Sequence, residues 1–344
     1  MTPKKISILI IGSNNKHSIE SFYKKAFYSI GIKKINLISN DIYFYLYCLL
    51  SSMRAKFLFN LIRPIYESKI NFFLRKIKSI DFIIIFKGIE INKDFLINLK
   101  KKYPRIKIIN IYTDDPFNLR SVSTSSSLLL SSIPVYDFFF IWSKKINIKL
   151  KKKYKFHKIF HYLPFGYDQR ATSIIKKKID INFISFVASG DKYRENIVKR
   201  INKIKLNIFG NSWSSNLRNH SINSFVYGKK LFDVINKSYA SINILRKQNL
   251  TSHNMKTFEI PAMGGLLVTT RSKEQNLFFP ENKASIMFNS VKELEKKIFF
   301  LRKNKKIAEN IRKKGFELSR KHSYKNRAKY ILKTIYERNV KYFL

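Results

Sequence analysis

The feature that most constrains this chain is an alternation of short β-branched runs with longer amphipathic segments, which stops at a polar stretch and then restarts. In the first half the strand-like runs are 5–12, 34–39, 81–88, 106–113, 136–142 and 159–163. Helical patterns fill 18–30, 92–102 and 144–154; 42–80 reads as helical with poor punctuation, and 121–132 as a Ser-rich loop. Such an alternation predicts a parallel sheet covered by helices. After Asp168, residues 169–178 read as a linker, and strands then recur at 181–187, 205–210, 240–245, 265–270 and 284–288. Helices at 193–204, 230–238 and 254–263 separate them, and 291–302, 307–320 and 324–336 close the chain. A length of 344 residues is about two ordinary domains. The expectation is therefore α/β with two Rossmann-like, doubly wound domains: 1–168, a linker at 169–179, 180–322, and a final helix in 323–344 crossing back to the first domain.

Composition narrows the setting. A single cysteine, Cys48, excludes an internal disulfide and fits a reducing, cytoplasmic compartment, with Cys48 itself expected in the apolar interior. The apolar run 6–11 leads into Gly12, Ser13, Asn14 and Asn15 rather than a cleavage site, so it reads as a strand. The run 42–53 is too short to span a bilayer, and 128–142 is broken by Ser131, Ser132, Pro134 and Asp137. The net charge of +46 would attract nucleic acid, anionic lipid and phosphorylated substrates alike. It is also what a codon bias toward Lys, Ile and Asn would leave. Two stretches exceed that background: 144–158, with eight lysines and no acid, and 292–344, with 18 Lys/Arg against 5 Asp/Glu. These are expected to face anionic membrane at its inner surface. Nucleic acid is not the expected partner, because no recognition helix or aromatic-basic RNA motif is readable. No internal repeat or zinc-spaced Cys/His cluster is visible, and the expectation is of no metal and no cofactor.

Ligands of open parallel sheets lie beyond the carboxyl ends of the strands. In the first half those exits are Gly12 to His17, Lys87 and Gly88, Asp114 with Asp115 before Pro116, and Gly166 to Asp168. In the second, Ser189, Gly190, Lys192 and Arg194 open a loop and helix whose amides and cations suit a diphosphate. Gly210 with Asn211 and Trp213 could meet a nucleotide base, or Trp213 could sit in the core. The stretch 254–270 reads as helix, stop and strand, with Pro261 disturbing the helix and Gly264 and Gly265 ending it. Glu259 on that helix suits the paired hydroxyls of a sugar. Each position also has an ordinary reading: a solvated Glu259, a surface Arg194, a helix stop at Gly264, a helix-start His17, and turn-forming Asp114 and Asp115.

Several motifs then carry a resemblance. They are Phe86-Lys87-Gly88, Thr113-Asp114-Asp115-Pro116, Tyr162-Leu163-Pro164-Phe165-Gly166-Tyr167-Asp168, Phe183 to Ala188 with Arg194, Leu206 to Gly210, Ile242-Asn243-Ile244, Lys256-Thr257-Phe258-Glu259, and His322-Ser323-Tyr324 with Arg327. In order and spacing, over roughly residues 80 to 330, the chain resembles the CgeB-like, or spore-maturation, glycosyltransferases within the group 1 glycosyltransferases. The resemblance implies a GT-B fold, with two Rossmann-like domains facing a central cleft. It also implies metal-independent transfer from a nucleotide sugar held mainly by the second domain. Glu259 would accept from the donor ribose. Lys256 stands where the family usually has Arg, keeping a cation but losing its two-pronged geometry. In the broader group two glutamates separated by seven residues often mark the donor site; the first position is Thr251 here, so the stereochemical outcome is not inherited.

The expected function is transfer of a sugar from a nucleotide-sugar donor to a polysaccharide, lipid-linked or protein acceptor. His17 and Asp114 are the candidate catalytic groups. The expected donor-binding residues are Gly190, Lys192, Arg194, Gly210, His253, Asn254, Lys256, Glu259 and Gly264; Gly12, Lys87, Gly88 and Asp115 are expected on the acceptor side. The alternatives are a degenerate glycosyltransferase-like scaffold, suggested by Lys256 and Thr251, and a basic nucleic-acid-binding protein.

Overall fold

The computed structural model describes residues 6–77, 79–155, 157–171, 179–217 and 219–337; most of the expected linker, 172–178, lies outside them. The chain divides into two compact units, Met1–Pro164 with Ala328–Tyr342, and Phe165–Arg327.

The first unit is built on six parallel strands: β1 (Ser7–Gly12), β2 (Lys34–Ser39), β3 (Phe82–Phe86), β4 (Lys107–Tyr112), β5 (Phe138–Ile141) and β6 (Phe160–Tyr162), in the order β2-β1-β3-β4-β5-β6. β1 and β3 are buried along their whole length, as continuous apolar runs are when helices cover both faces of a parallel sheet. The helices are α1 (Ile19–Ser29), α2 (Asp41–Ser52), α3 (Phe59–Lys76), α4 (Lys93–Lys102), α5 (Ser127–Ser132) and α6 (Lys144–Tyr154). Ser18, Asn92, Ser126 and Ser143 cap α1, α4, α5 and α6 by accepting a backbone N–H with their side chains. The segment 42–80 is thus two helices, broken where Arg54 takes a positive φ of 59°. The Ser-rich stretch is not all loop, because Ser126 starts α5 within it. Cys48 is only half-buried, its thiol 3.7 Å from Val122 O.

The second unit has its own six parallel strands: β7 (Asp180–Val187), β8 (Leu206–Phe209), β9 (Ser221–Asn223), β10 (Ser238–Asn243), β11 (Leu267–Thr270) and β12 (Ile286–Phe288), in the order β12-β11-β10-β7-β8-β9. Its helices are α7 (Lys192–Val198), α8 (Gly228–Lys237), α9 (Met255–Ala262), α10 (Lys273–Phe278), α11 (Val291–Lys303), α12 (Lys305–Ser319) and the start of α13 (Tyr324–Glu337). β9 and α10 have no counterpart in the sequence pattern: three edge residues are too few to show alternation, and α10 is under two turns long. α7 stops earlier than its pattern because the amides of Asn202 and Lys203 bind Glu295 Oε1 at 3.0 and 2.8 Å. The later turns of α13 belong to the first unit, where Tyr330 meets Phe140 and Tyr336 meets Phe82 edge-on.

Glycines make the loop contacts of the second unit possible. A Cβ on Gly210 would lie 1.9 Å from Ala188 O, and one on Gly190 would lie 2.0 Å from Ser212 O. Gly264 differs: it has φ +76° and open space around it. Gly210→Ala should therefore lower stability by about 2–3 kcal/mol, and Gly264→Ala by about 1 kcal/mol; chemical denaturation of both variants checks the ranking.

Candidate functional site

In the second unit the chain leaves β7 toward β8 on one side, while β10 lies on the other and leads on to β11. In open α/β sheets the ligand crevice lies at such a reversal, which here falls beyond the carboxyl ends of β7 and β10. The loops after β7 and β8 are laced together: Gly190 N donates to Asn211 O at 2.8 Å, and Trp213 Nε1 donates to Ala188 O at 2.8 Å. Trp213 also packs edge-on against Phe186, so its ring serves the core. Asp191 caps α7. Arg194 is buried, with Nε 2.9 Å from Ile244 O and Nη1 3.0 Å from Ser189 O, and so ties the exit of β10 to the exit of β7. Burial brings its pKa down to about 10. Lys192 next to it is exposed.

A buried amide pair sets the start of α9. Asn243, the last residue of β10, donates from Nδ2 to Asn254 Oδ1 at 3.0 Å and receives Asn254 Nδ2 on its own Oδ1 at 2.9 Å. Asn254 Oδ1 also accepts Thr257 N, while Thr257 Oγ1 accepts Asn254 N, closing a capping box. Thr257 Oγ1 donates to Gln275 Oε1 at 2.7 Å, and Gln275 Nε2 donates to Thr270 O at 2.7 Å. Side chains from β10, α9, β11 and α10 therefore form one network. Asn243 lies within a motif quoted from the sequence, but Gln275 carried no sequence signal.

One turn into α9, Lys256 Nζ sits 2.6 Å from Glu259 Oε2. Glu259 is nearly buried, and its Oε1 carries no protein hydrogen bond among the described residues. The pair offers one carboxylate oxygen and an ammonium beside the amino end of a helix. Gly264 ends that helix, its N–H reaching back to Pro261 O.

His253 has no solvent-exposed surface. Its Nε2 accepts the Phe165 amide at 3.2 Å, which puts the proton on Nδ1, 3.2 Å from Glu274 Oε2. The ring packs edge-on against Phe165, Phe258 and Phe278. His253 thereby buttresses the turn into α9. His322 contacts Phe258, Phe278 and Phe279, and Arg327 Nη2 lies 3.1 Å from its Nδ1. Arg327 in turn binds Phe165 O at 2.9 Å, and Tyr324 N binds Tyr167 O at 3.0 Å. The motifs around Tyr167 and His322 are thus two sides of one contact, tight enough that a Cβ on Gly166 would lie 2.8 Å from His322 O.

The first unit reverses its strand order between β1 and β3. At the exit of β1, Gly12 makes room for buried Glu20, whose pKa burial raises. At the exit of β3, Lys87 and Gly88 both have positive φ, 56° and 70°. Lys87 Nζ lies 2.7 Å from Asp114 Oδ2, and Asp115 Oδ1 accepts the Phe117 amide at 2.9 Å in a side-chain turn. His17 has its pKa lowered by partial burial and by Lys16 and Lys25. It follows β1 and Asp114 follows β4, with β3 between those strands. Deeper in, Glu90 accepts Asn40 Nδ2 at 2.8 Å, and burial raises its pKa; neither it nor Glu20 was singled out by the sequence. No group of three His, Cys, Asp or Glu side chains suited to a metal occurs among the described residues. Two surface hollows, about 260 and 340 Å³, lie by the starts of the strands, near Ile181 and Ser7, away from both reversals.

Residues 194–333 match a family described as glycosyl transferase-like. No curated protein sequence matches the chain. Among solved structures, OtsA is similar with a TM-score of 0.66 at 12% identity, over 98% of this chain and 100% of that one. Anabaena HepE in complex with UDP is similar with a TM-score of 0.61 at 9% identity, over 96% and 100%. TarM is similar with a TM-score of 0.55 at 12% identity over 74% of this chain, which spans 54% of TarM's length.

Burial of the imidazoles yields a pH prediction. His322 is held down to about 2 and His161, on β6, to about 4, both chiefly by burial. Each is neutral in the fold and takes up a proton on unfolding, so stability is full above pH ~6.5 and is lost as pH falls below it, by up to about 1.4 kcal/mol per pH unit for each group. Denaturation between pH 7 and pH 4 checks this, and His322→Gln should flatten the slope. The architecture is the GT-B fold of those solved structures, and the matched segment, 194–333, covers less than half of the chain.

Proposed function

We propose that the chain is a nucleotide-sugar-dependent glycosyltransferase of the CgeB-like branch, acting on a glycan, lipid-linked or protein acceptor at the inner face of the cytoplasmic membrane. The observation that carries this reading is the Lys256–Glu259 pair on α9, beside the strand reversal and inside the matched segment. In this reading the first amides of α9 and the Lys256 ammonium take the donor diphosphate, since a helix amino end presents free N–H groups to anions. Glu259 Oε1 accepts a ribose hydroxyl. HepE has been captured with UDP and with UDP-glucose, which favours a uridine donor here.

Chemistry follows from charge. The bond from the anomeric carbon to the diphosphate breaks, the acceptor oxygen takes its place, and the leaving group gathers negative charge that the α9 end and Lys256 offset. Deprotonation of the acceptor falls to a group at the β1 or β4 exit, His17 or Asp114. In the first unit Lys87 orients Asp114 for such a role through their 2.7 Å contact. No metal or cofactor takes part in this scheme. The lysine-rich stretches 144–158 and 292–344 would add contact with anionic lipid.

The test is thermal stabilisation and hydrolysis across a panel of nucleotide sugars, with Glu259→Gln compared at the same salt. One donor should stabilise the wild type and bind about tenfold more weakly to the variant, the loss expected for one hydrogen bond to a charged acceptor. Equal stabilisation of the two proteins would count against the site. Binding without any turnover would favour the degenerate scaffold. No response to any donor, together with steep salt-dependent binding of RNA or DNA, would favour the nucleic-acid reading.

A further inference from the structure

We infer that α3 and the turn before it form a surface that docks in the plane of an anionic lipid bilayer. α3 is apolar on two opposite sides. Phe59, Tyr66, Ile70 and Leu74 recur at spacings of seven, four and four residues and are buried in the first unit. Leu61, Ile65 and Phe72, at spacings of four and seven, make a second stripe that is 75%, 63% and 56% exposed. Residues so spaced share one face of a helix. Phe57, in the turn leading into α3, is 69% exposed. A helix at the surface of a water-soluble domain needs one apolar stripe, and a second leaves large side chains in water at a cost that docking removes.

Charge identifies the occupant. From Asp41 to Lys76 the cations are Arg54, Lys56, Arg63, Lys69, Arg75 and Lys76, against two acids, Asp41 and Glu67. Asp41 is engaged by the Ser39 hydroxyl at 2.7 Å and by the Asn14 amide. Lys76 Nζ lies 4.4 Å from the centre of the Phe72 ring, so an ammonium stands at the edge of the apolar stripe. Apolar groups bordered by long cations match the boundary between acyl chains and anionic headgroups. A second copy docked about a two-fold axis would instead bring the same cations face to face. No described helix is long and apolar enough to cross a membrane, which leaves an in-plane arrangement.

The inference deepens the membrane contact proposed above and rests on that reading for the lipid. Its test is flotation of the full chain with vesicles of phosphatidylcholine alone or with about one third phosphatidylserine. Leu61→Glu/Ile65→Glu is compared with Lys145→Glu/Lys152→Glu, which changes exposed lysines of α6. The wild type should float with the anionic vesicles, and the α3 variant should float about tenfold less, with thermal unfolding and donor response unchanged. Loss of flotation in the α6 variant but not in the α3 variant would keep the membrane reading and overturn this surface. Failure of the wild type to float would overturn both. Loss of self-association in place of flotation, seen by sedimentation, would assign the stripe to a second copy.

Discussion

Much of the second unit depends on the pairing of two amides, Asn243 and Asn254. An amide at the end of a buried strand must find partners or lose free energy. Asn243 finds them in the cap of α9, and that choice fixes both where the helix begins and which way its first turn points. Gln275 and Thr257 carry the constraint on to α10 and β11, so four elements converge on one polar knot. Glu259 and Lys256 inherit their position from it.

The same economy of space governs the neighbouring loops. Gly190 and Gly210 allow the exits of β7 and β8 to touch through their backbones, and Arg194 spans from there to the exit of β10. Glycine and arginine positions that suggest ligand contact in the sequence thus also tie these loops to one another in the folded chain. His253 and His322 share that character, with their rings sealed among phenylalanines beneath α9. Lys192, by contrast, is exposed, and Lys256 is paired with Glu259.

The two rounds of strand and helix were legible because parallel strands buried on both faces are written as unbroken apolar runs, as in Phe82 to Phe86 or Phe138 to Ile141. Their ends were legible to within a few residues. What escaped the sequence was short or long-range. β9 and α10 are too brief for a period to show, and the early stop of α7 depends on Glu295, far along the chain. Within the candidate site, Glu259 and Asn254 were visible as polar residues at a helix start, whereas Gln275 has no local signature and acquires its role only through a contact 18 residues from Thr257. Reading charge alone pointed to the lysine-rich stretches. The outer stripe of α3 instead emerges only once its buried face is known, since both faces are apolar.

The central claim is that the amino end of α9 at the strand reversal is where a nucleotide is held. Hydrogen–deuterium exchange with and without uridine diphosphate tests it most directly, because it reports on backbone amides rather than turnover. The account predicts slower exchange at Met255 to Ile260 and at Ala188 to Arg194, with the β1–β6 sheet unchanged. Protection confined to the first unit, or unchanged exchange at a concentration that stabilises the protein, would contradict it.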